Sequence, residues 1–312
     1  AKDMLSTTSN PFVGLFIGVL VTSVVQSSST VTSLVVGLVG GGMLGISNAI
    51  PIVMGANIGT SITNIIVSLG HIRSDVEFKR AFAASVVHDF FNIVTVMWLL
   101  PLQIFFGVLE TPSVMLADAF QNVGGMNLLS IVKVMTKPLA TLIINATGKT
   151  AWLCALIGIA ALFFALRYLV KILKILVVGK IEAWFKTRLF KTAGRALVLG
   201  MVLTVLVQSS SITTSFIVPI VGAGILTIQQ IFPYTLGANV GTTITAIIAA
   251  LVIKTPEALT VAFAHLLFNL FGIAVIWKHQ FIPIRMAQML AEACSRRKYI
   301  AFLFFAPYIR ND

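Results

Sequence analysis

Four consecutive polar residues, each able to hydrogen-bond a small ion, occur twice in an otherwise apolar chain. Gln26 is followed by three serines, and so is Gln208, 182 residues later (208 − 26). A serine hydroxyl can donate to the oxygen of an anion and also offers lone pairs to a cation. The paired motifs therefore predict a site shared by an anion and a cation. Its residues are Gln26, Ser27, Ser28, Ser29, Gln208, Ser209, Ser210 and Ser211.

A second polar stretch repeats at the same offset. The segment 55–60 recurs at 237–242, and each copy contains two glycines, an asparagine and a threonine. We expect a helix break beside them in both copies, with four more side chains at the anion site: Asn57, Thr60, Asn239 and Thr242. The alternative interpretation is that the glycines only permit close helix packing, as small residues four apart often do.

Asp89 is an acid inside the apolar run 81–100. An unpaired charge in a membrane costs at least about 2.5–3.5 kcal/mol, and a bound cation would offset that cost. Asn92 lies three residues further on, hence on the same face of a helix. The spacing predicts a cation site at these two residues, and it is asymmetric because the second copy has Leu266 in place of the acid. Pairing with the adjacent His88 and protonation of Asp89 are the open alternatives.

The composition is that of a membrane protein. Hydrophobic residues make up 58% of the 312 positions and charged residues only 10%, whereas about a quarter of an ordinary soluble domain is charged. Three apolar runs reach the roughly 20 residues that a spanning helix needs: 81–100, 150–178 and 258–277. They do not alternate as barrel strands would. The predicted fold class is an all-α polytopic membrane protein.

Each Gln-Ser-Ser-Ser motif follows an apolar stretch that is too short to span a membrane, 12–25 in one copy and 197–207 in the other. Such interrupted segments indicate broken or re-entrant helices, whose free backbone groups line a cavity inside the protein. The half-helix after the break begins with unpaired N–H groups and a partial positive charge, which suit an anion such as phosphate. For a single serine, a bond to its own helix backbone is the alternative.

The basic residues indicate how the two copies sit in the membrane. The net charge of +12 is spread beside apolar runs and not over one polar face, which favours membrane orientation over nucleic-acid binding. The stretch 167–195 is the most basic and is expected in the cytoplasm. The first connector carries Arg73, Lys79 and Arg80, while the second carries only Lys254. Equivalent loops therefore face opposite sides, which defines an inverted-topology repeat.

These observations divide the chain into four parts. A first repeat covers 10–101, and an outer loop, a spanning helix and a basic cytoplasmic linker follow at 102–194. The second repeat covers 195–283, and a basic segment at 284–312 places the C-terminus in the cytoplasm. The two cysteines are expected to form no disulfide.

At the paired motifs, over the stretch 10–61 and over the block 80–89, the chain resembles the type II sodium-dependent phosphate cotransporters. A bacterial-type member is expected, because 107–149 contains no cysteine. The resemblance implies symport of inorganic phosphate with sodium across the plasma membrane by alternating access. It implies no enzymatic activity, no cofactor beyond the co-transported sodium and no transition metal.

The resemblance also implies that sodium binds at Asp89 and Asn92. We expect three further side chains to contribute: Ser28, Ser210 and Thr214. The family pattern has a carboxylate and a glutamine in the first connector, whereas 70–75 contains Asp75 and no glutamine. The composition of a second sodium site therefore stays open.

The sequence leaves several other functions as alternatives. Within transport, they are another oxyanion as substrate or proton coupling at Asp89. An intramembrane serine hydrolase would need a general base beside a serine, and no such partner is evident in the sequence. A membrane scaffold would have no need for polar residues at paired helix breaks. The sequence does not determine the oligomeric state.

Overall fold

The computed structural model describes residues 10–60, 62–122, 141–142, 144–146 and 189–297. Several expectations lie outside these residues, namely the spanning run 150–178, most of the outer loop and basic linker, Cys154, and the tail from residue 298 onward. Within the described ranges the chain is helical and forms no strand.

Eleven helices occur in the described residues. They are α1 (Pro11–Val25), α2 (Ser28–Gly40), α3 (Ile46–Ile58), α4 (Ile62–Leu69), α5 (Asp75–Phe106), α6 (Glu110–Asn122), α7 (Ala193–Val207), α8 (Ser210–Gly222), α9 (Ile228–Ile253), α10 (Pro256–Ile276) and α11 (Phe281–Arg296).

Capping residues in the sequence determine where most of these helices begin. Asn10 precedes α1 and accepts a hydrogen bond from the Phe12 amide at 2.9 Å, and Pro11 supplies the backbone angle that a first helical turn requires. Ser74 caps α5 in the same way, and Thr255 caps α10, whose first residue is again a proline. Capped ends satisfy amides that would otherwise be orphaned in an apolar surrounding.

Four segments are long and apolar enough to cross a membrane: Ile46–Leu69, which contains α3 and α4, Asp75–Phe106, Ile228–Ile253 and Pro256–Ile276. The apolar run 81–100 falls within α5, and the run 258–277 falls within α10 except for its last residue. The helices that flank the two serine motifs, α1, α2, α7 and α8, are shorter, as the interrupted apolar pattern predicts. The predicted all-α polytopic class is confirmed.

One predicted helix break is wrong. In the first copy α3 ends at Ile58, Gly59 and Thr60 form a turn, and α4 begins at Ile62. In the second copy α9 continues without a break through Asn239 and Thr242. The two copies also differ in sequence just after this point. Position 246 is alanine, the best helix former, whereas the first copy has Asn64 at the equivalent position.

Close helix pairs form the centre of each copy. α1 packs along α3, and α7 packs along α9. The contact depends on glycine, since a Cβ added at Gly18 would overlap the Ile52 carbonyl, and one added at Gly237 would overlap the carbonyl of Leu197. Gly55 and Gly200 are equally crowded by backbone. The alternative interpretation of the glycines in the segments 55–60 and 237–242 is therefore correct at Gly55 and Gly237.

Each helix that follows a serine motif packs against the opposite copy. α2 packs against α9 and α10 of the second copy, and α8 packs against α4 and α5 of the first. One buried cluster accordingly joins Phe82 of α5 to Ile217 of α8, and another joins Val36 of α2 to Leu259 of α10. The two copies share their core, so neither serine motif belongs to one copy alone.

We predict that Gly237→Ala destabilises the protein. Its new methyl group has no space against the backbone of α7, and overpacking of this kind typically costs about 1–3 kcal/mol. Gly37→Ala in α2 is the matched control, because nothing lies within 4 Å of an added Cβ there. Thermal unfolding of the detergent-solubilised protein would give a lower midpoint for Gly237→Ala only. Equal midpoints for the two variants would contradict the packing argument.

Candidate functional site

The two serine motifs adopt the same backbone conformation. Gln26 ends α1 with φ 58°, and Gln208 ends α7 with φ 57°. This left-handed region costs a non-glycine residue roughly 1–2 kcal/mol. Ser27 and Ser209 then return to extended φ values of −149° and −151° and cap α2 and α8. The predicted helix breaks are therefore present, and the strain at each is concentrated on the glutamine.

Each glutamine side chain holds its own break together. The Gln26 side-chain amide donates to the Ser23 carbonyl, and its Oε1 accepts from Thr63 Oγ1 at 3.1 Å. Gln208 donates to the Val205 carbonyl and accepts from Thr245 Oγ1 at 2.9 Å. The glutamines thus bridge the helix before each break to a threonine that follows the second polar stretch, on α4 in the first copy and on α9 in the second.

The serines have distinct positions within each motif. Ser27 Oγ accepts from the Thr30 amide at 3.2 Å, and Ser209 Oγ accepts from the Ile212 amide at 3.4 Å. The next two residues in each copy lie in the first turn and are buried: Ser28, Ser29, Ser210 and Ser211. Amides in a first helical turn lack partners within their own helix. The buried serines of each copy therefore lie at the positive end of a helix.

A buried hydrogen-bond network joins the two copies. Asn92 Nδ2 donates to the Asn57 carbonyl at 2.6 Å, and Asn239 Nδ2 donates to Asn92 Oδ1 at 2.9 Å. His265 Nε2 lies 3.1 Å from Asn57 Oδ1. Three of these four residues were predicted site residues, and the structure brings them together from α3, α5 and α9. His265 adds α10 to the same network.

A second polar contact crosses between the copies. Asn64 Nδ2 lies 2.9 Å from Thr214 Oγ1, and Thr214 Oγ1 lies 3.2 Å from Asn64 Oδ1. Both residues are buried. Thr214 also donates to the Ser210 carbonyl at 2.8 Å, so this predicted sodium ligand is tied to the serine motif of its own helix.

Asp89 has the histidine neighbour that the sequence left as an alternative. His88 Nε2 lies 3.1 Å from Asp89 Oδ1, and the two side chains are 3% and 15% exposed. The carboxylate is therefore largely shielded from solvent, although it is not sealed in the core. Asn92, one turn further along α5, faces the network between the two copies.

Three buried hydroxyls at the breaks have no hydrogen-bond partner among the described residues. They belong to Thr22, Thr204 and Ser29. Thr22 and Thr204 occupy equivalent positions in the last turns of α1 and α7, four residues before each glutamine. A buried hydroxyl without a partner typically costs about 1–3 kcal/mol. Their equivalent placement marks the breaks as positions where polar groups point toward the interior.

Some predicted site residues bond within their own helices. The Thr60 hydroxyl lies 3.3 Å from the Ala56 carbonyl, and the Thr242 hydroxyl donates to the Ala238 carbonyl at 3.1 Å. These contacts match the alternative interpretation for polar residues in membrane helices. The ligand roles assigned to the site residues stay predictions.

The internal repeat also contains signals for polar residues that are not among the predicted site residues. The pairs Thr22 with Thr204 and Thr63 with Thr245 obey the same 182-residue offset as the serine motifs. Asn64 gave no such signal, because its counterpart is Ala246. His265 contacts Asn57 Oδ1, as a structural hydrogen-bonding histidine would.

Comparison with known proteins identifies relatives over nearly the whole chain. The Na+/Pi-cotransporter family model matches residues 1–171 and 161–291. The sodium-dependent phosphate transport protein 2A of Ovis aries is 35% identical over 95% of this chain and 59% of its own length. Protein 2B of Homo sapiens is 32% identical over 96% of this chain and 57% of its own length. The chain therefore spans less than two-thirds of these curated relatives, and no solved structure matches it.

The helices, the duplicated breaks and the shared core define a polytopic membrane protein with a buried polar network between the two copies of its sequence unit. The chain belongs to the Na+/Pi-cotransporter family. This membership confirms the resemblance drawn from the paired motifs.

We predict that Thr245→Val loosens the second break without changing the motif itself. The substitution keeps the side-chain shape but removes the hydroxyl that donates to Gln208, and a lost hydrogen bond of this kind costs about 1 kcal/mol. Hydrogen–deuterium exchange of the amides at 208–212 should become faster. Thr245→Ser, which keeps the donor, should exchange like the native protein, and segment 26–30 is an internal control. Unchanged exchange in Thr245→Val would contradict the view that the hydrogen bond from Thr245 to Gln208 holds the break.

Proposed function

We propose that this chain is a sodium-coupled phosphate symporter of the plasma membrane. The observation that carries the proposal is the pair of identical helix breaks, each followed by buried serines, in helices that pack against the opposite copy. The relatives are named sodium-dependent phosphate transport proteins. Family membership and site chemistry therefore favour the same substrate pair.

In this mechanism the anion binds between the two breaks. The first-turn amides and hydroxyls of Ser28, Ser29, Ser210 and Ser211 donate hydrogen bonds to phosphate oxygens, and the positive ends of α2 and α8 stabilise its charge. The glutamines keep these groups aimed at the substrate because they bridge each break. The unpartnered hydroxyls of Thr22 and Thr204 supply additional donors in the interior.

Sodium binds beside Asp89 and Asn92 in the same proposal. Asp89 supplies the negative charge, and the amide oxygen of Asn92 exchanges its bond with Asn239 for the ion. Thr214, Ser28 and Ser210 provide further oxygen ligands near the breaks. Without sodium, the negative charges of Asp89 and phosphate repel each other, so a bound cation raises the affinity for the anion.

Coupling follows from the network between the copies. A ligand shifts a conformational equilibrium only by its differential affinity for the two states. Sodium at Asn92 would alter the contacts that link Asn57, Asn239 and His265. Because these residues belong to both repeats, the change reaches both breaks. An inverted-topology arrangement of the repeats then allows alternate opening to the two sides of the membrane.

In this proposal the protein acts as a carrier and not as an enzyme. Its C-terminus lies in the cytoplasm, the side that the basic segments favour. A hydrolase would need a base beside a serine, whereas His88 Nε2 contacts Asp89 and His265 Nε2 contacts Asn57. Proton coupling at Asp89 is the second candidate, because His88 Nε2 lies 3.1 Å from Asp89 Oδ1 inside a membrane-spanning helix.

The central test is radiolabelled phosphate uptake into proteoliposomes under an inward sodium gradient, with a potassium gradient as the reference. We predict sodium-dependent uptake by the native chain and a loss of at least about tenfold in the double variant Ser28→Ala and Ser210→Ala, because each break loses a charge-assisted hydrogen bond. The matched control is Ser33→Ala with Ser215→Ala, one turn or more further along the same helices. Sodium-independent or absent uptake by reconstituted native protein would refute the proposal.

We predict that Asp89→Asn raises the sodium concentration required for half-maximal uptake. The amide keeps an oxygen ligand but lacks the charge that holds the ion. A sodium titration of uptake at saturating phosphate measures the effect, and His88→Gln separates the carboxylate from its neighbour. An unchanged sodium requirement together with a lost pH dependence of uptake would instead support proton coupling at Asp89.

A further inference from the structure

Three helices begin around one cleft, away from the serine motifs. The cleft has a volume of about 610 Å³. Lys191 and Ala193 line it at the start of α7, Gln229 and Gln230 at the start of α9, and Phe281 at the start of α11. A helix N-terminus carries a partial positive charge, and here three of them lie at the border of the same space.

The side chains around the cleft are basic or amide-bearing. Lys191 and Arg285 supply two positive charges, and none of the described lining residues is an acid. Four glutamines add side-chain N–H donors: Gln229, Gln230, Gln280 and Gln288. Gln230 uses its Oε1 to accept from the Thr227 amide at 2.9 Å, which leaves its NH₂ group as the end available for a ligand.

No acid opposes an anion in the first turns of the helices that begin at this cleft. Acidic residues stabilise helix N-termini, but these three helices carry none in the first turn. Glu292, further along α11, is paired with Lys79 and Arg296. Asp75 lines an adjoining cleft of about 560 Å³ that shares Gln229 and Gln288.

The other part of the lining is apolar. Phe190, Pro233 and Ile284 are buried, and Phe190 packs against Tyr234 with ring centroids 5.6 Å apart. Phe281 remains 56% exposed at the entrance. A cleft with cations and amides beside an apolar wall fits an amphipathic anion better than a bare ion.

We propose that this cleft binds the phosphate group of an anionic ligand, and that the headgroup of an anionic phospholipid is the source that the apolar wall favours. Lys191 and Arg285 pair with the phosphate, the glutamines donate to its oxygens, and the exposed Phe281 contacts the acyl region. Free inorganic phosphate is the other source with the same chemistry. The proposal concerns a site apart from the serine motifs and holds whether or not the chain transports phosphate.

The test uses thermal unfolding of the full chain in detergent and sodium-free potassium buffer. Phosphatidylglycerol, phosphatidylcholine and inorganic phosphate are titrated separately. The test variant is Lys191→Gln with Arg285→Gln. The control is Arg73→Gln with Lys254→Gln, which removes the same number of exposed cations outside the cleft. If the double test variant does not fold, Arg285→Gln alone is measured against Arg73→Gln.

We expect phosphatidylglycerol to raise the unfolding midpoint of the native and control proteins. The concentration for half of this effect should rise about tenfold or more in the test variant, since a charge-assisted contact is lost. A shift with inorganic phosphate that the test variant alone loses would support the site with free phosphate as its ligand. Equal stabilisation of the test and control variants by each anion, or an equal effect of phosphatidylcholine, would overturn the proposal.

Discussion

Backbone groups at a helix break must find partners inside the protein, because the surrounding membrane offers none. Here the glutamine that opens each serine motif meets this constraint. It adopts the left-handed conformation that ends one helix, and its side chain ties that end to a threonine just after the second polar stretch. Once the break is held in this way, the next serine caps the following helix. The two serines after it are then fixed at a positive helix end in the interior.

The exchanged packing explains why one break cannot move alone. The helix after each break packs against the opposite copy, and glycine contacts hold the helix before it against its own copy. A movement between the copies therefore changes the angle at both breaks. The network from Asn57 through Asn92 to Asn239 lies across the same boundary. In the proposed mechanism, the geometry of the anion site therefore changes whenever the two copies move relative to each other.

Much of the fold could be predicted, because its signals are local or repeated. Long apolar runs predicted α5 and α10, and the recurring motif predicted both breaks around Gln26 and Gln208. The continuity of α9 could not be predicted from the Gly, Asn and Thr residues that it shares with the first copy. The contact between His265 and Asn57 joins residues 208 positions apart. The spacing of apolar residues along the chain contains no information about such a contact, because the contact depends on how the two copies pack.

The differences between the copies determine what the symmetric framework can do. The matched breaks provide equivalent hydrogen-bond donors from two directions, which suits a tetrahedral anion. A single cation needs no such symmetry, and the residues proposed to hold it are unequal, with Asp89 replaced by Leu266 in the second copy. Asn64, which contacts Thr214, is likewise replaced by Ala246. One carboxylate in the apolar interior limits the desolvation cost to one group. In the proposed mechanism, the first copy therefore supplies the charge for sodium, while both copies supply the donors for phosphate.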